Sequence, residues 1–153
     1  MRPKVSIVIP IFKAEAYIER CARSLFEQSL DNIEYIFVND CSPDNSMYLL
    51  DKVLGDYPQR KEQVHIINHS QNLGAAKARE VGIKVATGEY IIHCDSDDWV
   101  ERNMYQTMYE EVQNHNADIV ICDFYETDGI RHKHITQHID TKSDLLRGLL
   151  NTS

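Results

Sequence analysis

Gly88-Glu89-Tyr90-Ile91-Ile92-His93-Cys94-Asp95-Ser96-Asp97-Asp98 decides the fold of this 153-residue chain. The apolar run Tyr90, Ile91, Ile92 has the pattern of a strand and leads directly into three carboxylates, Asp95, Asp97 and Asp98. Acids this close repel one another and are costly to keep charged unless solvent or a cation offsets them. In open α/β sheets the ligand crevice forms at the carboxyl ends of the strands. Hard oxygen ligands at that place suit Mg2+ or Mn2+, ions that commonly share their coordination with phosphates. The stretch therefore points to a divalent metal holding a phosphorylated substrate.

Working outward, strand and helix patterns alternate. Lys4–Pro10 reads as a buried strand, and Tyr17, Ile18, Cys21, Ala22, Leu25 and Phe26 mark one face of a helix. Ile33–Asn39 is a second strand, followed by a helix with Met47, Leu50, Val53 and Leu54 on its core face and Asp44 or Ser46 as its cap. Val64–Asn68 is a third strand. Residues 75–86 form a helix with a small-residue face (Ala75, Ala78, Gly82, Ala86) suited to close packing on a sheet. A strand at 89–94, a helix near 101–115 and a strand at Asp118–Asp123 complete the pattern. This order predicts an α/β fold with a mostly parallel sheet covered on both faces, as a single domain over residues 1–153.

Net charge is −8 and the isoelectric point about 5.3, which argues against nucleic acid or an anionic membrane surface as the main partner. Four cysteines, Cys21, Cys41, Cys94 and Cys122, show no CxxC spacing, so buried thiols in a reducing, cytoplasmic compartment are the simplest account. The apolar stretch Val5–Phe12 is interrupted by Ser6 and Pro10 and reads as a strand, neither a signal peptide nor a membrane span. Of seven histidines, His132, His134 and His138 invite a zinc reading. They sit in a polar stretch without cysteine or acid at ligand spacing, so a solvated segment is the expectation. Ser143–Leu150 starts like a capped amphipathic helix and the chain stops at once, as in the N-terminal part of a longer protein.

Four segments in series then carry a resemblance. Val5-Ser6-Ile7-Val8-Ile9-Pro10-Ile11-Phe12 resembles the opening strand of family 2 glycosyltransferases. Val38-Asn39-Asp40-Cys41-Ser42-Pro43-Asp44-Asn45-Ser46 is similar to their VDDGSTDNS element, with Asn39 in place of the first acid and Cys41 in place of a common glycine. Asn72-Leu73-Gly74-Ala75-Ala76-Lys77-Ala78-Arg79-Glu80-Val81-Gly82 resembles their NxGxxxARNxG segment. Asp95-Ser96-Asp97-Asp98-Trp99 resembles their DxD motif with its trailing aromatic. The resemblance implies the GT-A fold, a Rossmann-like three-layer α/β/α sandwich, here truncated.

It also implies roles, beside which plainer ones stand. Pro10 ends the first strand and turns the chain over the crevice. Phe12 offers a π face to a nucleobase, or simply packs. Glu15 belongs to the donor site by resemblance, or only caps a helix. Asp40, an acceptor-only carboxylate, matches the imide N–H of uracil, or pins a turn. Lys77 and Arg79 lie on a helix that approaches the diphosphate, or Arg79 only makes a structural ion pair; at i, i+2 they do not share a helix face, so one of them is expected to face the site. Asp97 is the direct metal ligand by resemblance. Asp95 binds ribose hydroxyls or the metal through water, Ser96 lies between them in the donor site, and Asp98 orients its neighbours.

The implied activity is transfer of a sugar from a nucleotide-diphosphate donor, a UDP-sugar first, to an acceptor hydroxyl with inversion. The implied cofactor is Mn2+ or Mg2+. The acceptor would be a glycan, a lipid-linked saccharide or another hydroxyl, in polysaccharide or glycoconjugate synthesis. The catalytic base is expected beyond residue 153, with Glu126 and Asp128 the only early candidates. Missing regions could bring peripheral association with the inner membrane face, and a truncated edge could pair two copies. The alternative is a non-catalytic nucleotide-sugar-binding module. A haloacid-dehalogenase-like phosphatase would carry its Asp-x-Asp on the first strand. A sugar-nucleotide pyrophosphorylase would need a Gly-rich basic loop, which Ile11-Phe12-Lys13-Ala14-Glu15 is not.

Overall fold

Seven consecutive buried residues, Val5–Ile11, form the central strand β1 of a parallel sheet. The computed structural model describes residues 2–137. After β1 come α1 (Ile18–Phe26), β2 (Ile33–Asn39), α2 (Ser46–Asp56), a 3-10 turn (Pro58–Gln63), β3 (Val64–Asn68), α3 (Ala75–Val85), β4 (Tyr90–His93) and α4 (Met104–His115). A short hairpin of β5 (Phe124–Thr127) and β6 (His132–Ile135) follows. The chain divides into two compact units at Glu110/Glu111, within α4.

In the first unit the strand order is β3-β2-β1-β4, all parallel. Val5 stands opposite Ile33 on one side and Tyr90 on the other, so β1 is flanked by β2 and β4. The chain runs outward from β1 through β2 to β3, then returns across β1 to β4. The gap between β1 and β4 is therefore the topological switch point, where loops diverge and leave a crevice.

The two faces of β1 build two cores. Ile7, Ile9 and Ile11, none of them exposed, join Tyr35, Phe37, Leu25, Phe26 and Leu50 under α1 and α2. Each fully buried branched side chain stabilises the fold by about 1.5–3 kcal/mol. On the other face Val8, Ile36 and Val38 meet Ala78 of α3. The small face expected of that helix does bring it close: a Cβ added at Gly82 would stand 2.3 Å from Val8 Cγ1. Helices on both faces of a parallel sheet make the three-layer α/β/α arrangement.

Opposite the crevice, buried Glu34 fastens the turn that leads into β4. Its carboxylate accepts from Ser6 Oγ at 2.5 Å, from Thr87 N at 2.9 Å and from Thr87 Oγ1 at 2.9 Å. Arg60, also buried, donates to Phe26 O at 3.1 Å and to Gln28 O at 2.7 Å, a cation on the orphan carbonyls at the end of α1.

The second unit corrects one expectation. Residues 118–123 are not a strand; pairing begins at Phe124, which stands opposite Ile135 in an antiparallel hairpin. The turn chemistry decides this. Asp128 Oδ1 accepts from Ile130 N at 2.9 Å and Arg131 N at 2.7 Å, and Gly129 takes φ 90°. An Asp-Gly turn sets the hairpin register, and among the described residues the apolar run before it finds no ladder partner. His134 Nε2 lies 3.1 Å from Asp123 Oδ2 and its ring stacks on Tyr125. His138 and the helix expected at 143–150 lie outside the described residues. Among the described residues no helix is long and apolar enough to cross a membrane.

Candidate functional site

The loops that leave β1, β2, β3 and β4 at their carboxyl ends enclose a cavity of about 350 Å3. Of the residues singled out from sequence, Pro10, Phe12, Asp40, Arg79, Asp95, Ser96 and Asp97 line it. Ile11, Asn72, Gly74 and Ala75 complete the wall. Glu15 and Lys77 are not in the lining. Glu15 accepts from Asn45 N at 3.2 Å and Asn45 Nδ2 at 2.8 Å, so it caps the start of α2. Lys77 Nζ pairs with Glu80 at 2.7 Å on the outer side of α3. The i, i+2 spacing has the consequence expected of it: Arg79 turns to the cavity and Lys77 away.

Asp44 ties the loops after β1 and β2 together. It accepts from Ser42 Oγ at 2.6 Å, Ser46 Oγ at 2.6 Å, Ser46 N at 3.2 Å and Glu15 N at 3.0 Å. Burial pushes its carboxyl up, but these donors outweigh it and hold the group down at about 2. Within this network Lys13 N donates to Ser42 Oγ at 2.8 Å, with Lys13 at φ 54°. Cys41 sits at φ 58°, the left-handed region that favours glycine, at a backbone cost of about 1–2 kcal/mol.

Asp40 is buried at the end of β2. It accepts from Leu73 N at 2.8 Å, Gly74 N at 2.7 Å and His69 Nδ1 at 2.8 Å. Burial pushes its carboxyl up; the His69 bond and the two backbone donors outweigh it and hold it below the usual carboxylate range. The turn-pinning role is thus present in full. A carboxylate offers about four lone-pair positions, and Asp40 also lines the cavity. Gly74 makes the pinning possible, because φ 87° turns its N–H onto Asp40 just before α3 begins. His69 and Asn72 were not foreseen as site residues. His69 stands one step past the end of β3 as Asp40 does past β2, and that position is the signal that could have found it.

On the opposite wall Arg79 Nη2 donates to Asp95 Oδ1 at 2.5 Å. Arg79 faces three acids of the lining, Asp40, Asp95 and Asp97, so the cavity carries surplus negative charge. Asp98 records that surplus: burial first, then Asp97 and Asp95, raise its carboxyl above the usual range. Among the described residues no three His, Cys, Asp or Glu side chains are close enough to hold an ion by themselves. The donor set is hard oxygen in a negative field. That fits a Mg2+-like ion taking one or two carboxylates from the chain and the rest of its shell from water and phosphate.

The chain has relatives among known proteins. The model of the family described as Glycosyl transferase family 2 matches residues 6–148. An uncharacterized glycosyltransferase of Bacillus subtilis, EpsJ, is 37% identical over 147 residues, which are 96% of this chain and 41% of that protein. Among solved structures, S. aureus TarS 1-349 in complex with UDP superposes with a TM-score of 0.76 at 24% identity, covering 88% of this chain and 38% of that one. The mannosyltransferase PcManGT of Pyrobaculum calidifontis, solved with GDP-Man and Mn2+, gives 0.65 at 21% identity over 73% of this chain and 33% of that one. At these identities the two structures share the fold. The chain spans less than half the length of each of the three.

Proposed function

This chain belongs to glycosyl transferase family 2, and from that premise we propose that it is the donor-binding part of an enzyme that moves a sugar from a UDP-sugar to an acceptor hydroxyl, with Mn2+ or Mg2+ as cofactor. The observation that carries the proposal is the convergence of Asp40, Arg79, Asp95 and Asp97 on one cavity at the β1/β4 switch point. It supports a division of labour along the crevice. The base lies at the β2 end, where Phe12 and Pro10 form a wall and the remaining acceptor position of Asp40 takes an imide N–H. The diphosphate lies toward α3 and the acid loop, where Arg79 donates to a phosphoryl oxygen and Asp95 takes ribose hydroxyls.

Asp97, with Asp95 through water, would hold the metal, which supplies Lewis-acid stabilisation of the departing nucleoside diphosphate. Arg79 shares that work with its own positive charge, since preorganised donors aimed at developing charge lower the barrier. The carboxylates of Glu126 and Asp128 are engaged elsewhere, the first 3.7 Å from Lys133 and the second on turn amides. We assign the general base and the acceptor surface to chain beyond residue 153, in which case residues 1–153 are one part of a larger catalytic domain. Four free thiols agree with a cytoplasmic setting.

Titration calorimetry tests the reading. UDP should bind with Mn2+ present and lose most of its affinity in EDTA, and CDP and GDP should bind more weakly than UDP. Equal affinity for UDP with Mn2+ and with EDTA refutes the metal assignment; equal affinity for all three nucleotides refutes the base assignment. The second reading is a binding module without turnover. It predicts no transfer by the longer protein with any sugar acceptor.

A further inference from the structure

The acid loop has no regular structure between Cys94 and Asn103, yet its main chain is held at successive points by one stripe of α1 and the turn after it. Arg20 lies with its guanidinium carbon 3.7 Å from the Trp99 ring centroid and Nη2 3.5 Å from Asp97 O. Cys21 Sγ is 3.6 Å from Asp95 O. Ser24 Oγ donates to Cys21 O at 2.8 Å and accepts from Val100 N at 3.2 Å. Gln28, 3% exposed, donates to Ser24 O at 3.0 Å and to Glu101 O at 2.8 Å, and accepts from Tyr105 N at 3.3 Å. Ser29 N donates to Arg102 O at 2.9 Å.

Arg20 and Ser24 are four residues apart on α1, the spacing that puts side chains above one another on a helix, and Gln28 follows in the turn two residues past its end. Their grip is on main-chain atoms of the loop and on the Trp99 ring. Asp95 and Asp97 are left to line the cavity, while the charge of Arg20 also acts on Asp98.

We propose that Arg20, Ser24 and Gln28 are positioning residues for the donor diphosphate: a polar seam on α1 and the turn after it holds the acid loop so that Asp95 and Asp97 keep their places. The proposal rests on the reading of the cavity as a metal and diphosphate site. The physical need is specific. Asp95, Asp97 and Asp98 repel one another, and an unanchored loop would relax by moving them apart, raising the cost of gathering them around a cation. The seam meets that cost during folding, as outer-shell contacts do for metal ligands generally.

Three variants of this chain test it: Ser24→Ala, Ser24→Thr as the rescue that keeps the hydroxyl, and Arg20→Ala, which is exposed and leaves the core untouched. The probes are UDP with Mn2+, uridine alone, and amide hydrogen exchange. Ser24→Ala is expected to speed exchange at Val100, leave β1 protected, and weaken UDP with Mn2+ by about 10–100-fold, with a smaller loss for uridine, which meets the loop only through its ribose. Ser24→Thr should restore both, and Arg20→Ala should reproduce the loss for UDP. Unchanged UDP affinity in both alanine variants overturns the proposal, and so does an equal loss for uridine, which would mark general damage to the crevice. If the parent chain itself bound UDP without regard to Mn2+, the reading of the site would fail instead. Exchange at Val100 would then judge the seam: faster in Ser24→Ala keeps its hold on the loop, unchanged removes it.

Discussion

Asp40 and His69 stand one residue past the ends of the adjacent strands β2 and β3, and His69 Nδ1 lies 2.8 Å from Asp40 Oδ1. Because a carboxylate only accepts, Nδ1 carries the proton. The other ring nitrogen, Nε2, is buried and has no hydrogen-bond partner among the described residues. The pair links the loop that begins α3 to the floor of the cavity.

His69→Ala removes a charge-assisted donor from a buried acceptor, a change that typically costs about 1–3 kcal/mol. It should also loosen residues 69–74 and weaken nucleotide binding. His69→Asn, whose amide can place a donor near the Nδ1 position, should recover much of the loss. Urea unfolding of the three proteins measures this; an alanine variant as stable as the parent would remove the structural role assigned to His69.

Asp44 gives a pH prediction with a definite sign. Its folded carboxyl is held at about 2, below the value of 3.8 expected without its donors. A depressed carboxyl contributes stability that is present above about 3.8 and is lost as pH falls toward 2. Acid should therefore release the clamp between the loops after β1 and β2 in that window. Asp44→Asn, measured by urea midpoint against pH, should be less stable than the parent at neutral pH and show a shallower decline between pH 4 and 2. Parallel curves for the two proteins would mean that Asp44 does not drive the acid sensitivity.

Gly82 and Val8 make a contact that can be tested by exchange of volume. Alanine at 82 gains about 0.8–1 kcal/mol of helix propensity, but its Cβ would stand 2.3 Å from Val8 Cγ1. Overpacking of this kind costs about 1–3 kcal/mol, so Gly82→Ala should be destabilising. Adding Val8→Ala removes the clashing methyl groups, and the double variant should be more stable than the sum of the two single changes. Thermal unfolding checks it; strict additivity would show that the sheet and α3 move apart freely.

Much of this geometry was legible because the signals were local and periodic. The strand patterns at Ile33–Asn39 and Val64–Asn68 gave strands with those bounds, the first buried and the second half-exposed. The small face around Ala78 and Gly82 announced a close-packed helix. The acids after Tyr90, Ile91 and Ile92 placed the crevice. What escaped depends on pairing across the chain. The apolar residues of 118–123 have a strand pattern, but the Asp-Gly turn at 128–129 chose another register. Glu15 and Lys77 sit in the right segments, yet their partners, Asn45 and Glu80, are set by loop geometry and helix phase. The polar line from Arg20 to Gln28 carries no sequence signal of its role, because its partner is irregular chain some seventy residues away (Gln28 to Glu101, a separation of 73).

The Arg79–Asp95 pair and Asp97 should separate two contributions to donor binding. Arg79 donates to Asp95 at 2.5 Å and lines the same cavity as Asp97. Arg79→Ala removes a donor to phosphate and leaves Asp95 uncompensated beside Asp97. Hydrogen bonds to charged groups contribute about 1.5–3 kcal/mol, so UDP affinity should fall by roughly 10–100-fold both with Mn2+ and in EDTA. Arg79→Lys keeps the charge but not the planar fork, and should recover only part. Asp97→Asn keeps shape and loses a charged metal ligand. Its affinity with Mn2+ should drop to the EDTA value of the parent, and its affinity in EDTA should hold or rise as repulsion of the diphosphate is relieved. Calorimetry at one ionic strength, with and without EDTA, gives all eight numbers for the parent and the three variants. An Asp97→Asn protein that still gains from Mn2+ as much as the parent would move the metal to other oxygens of the cavity, and Asp95 would then be the carboxylate to change.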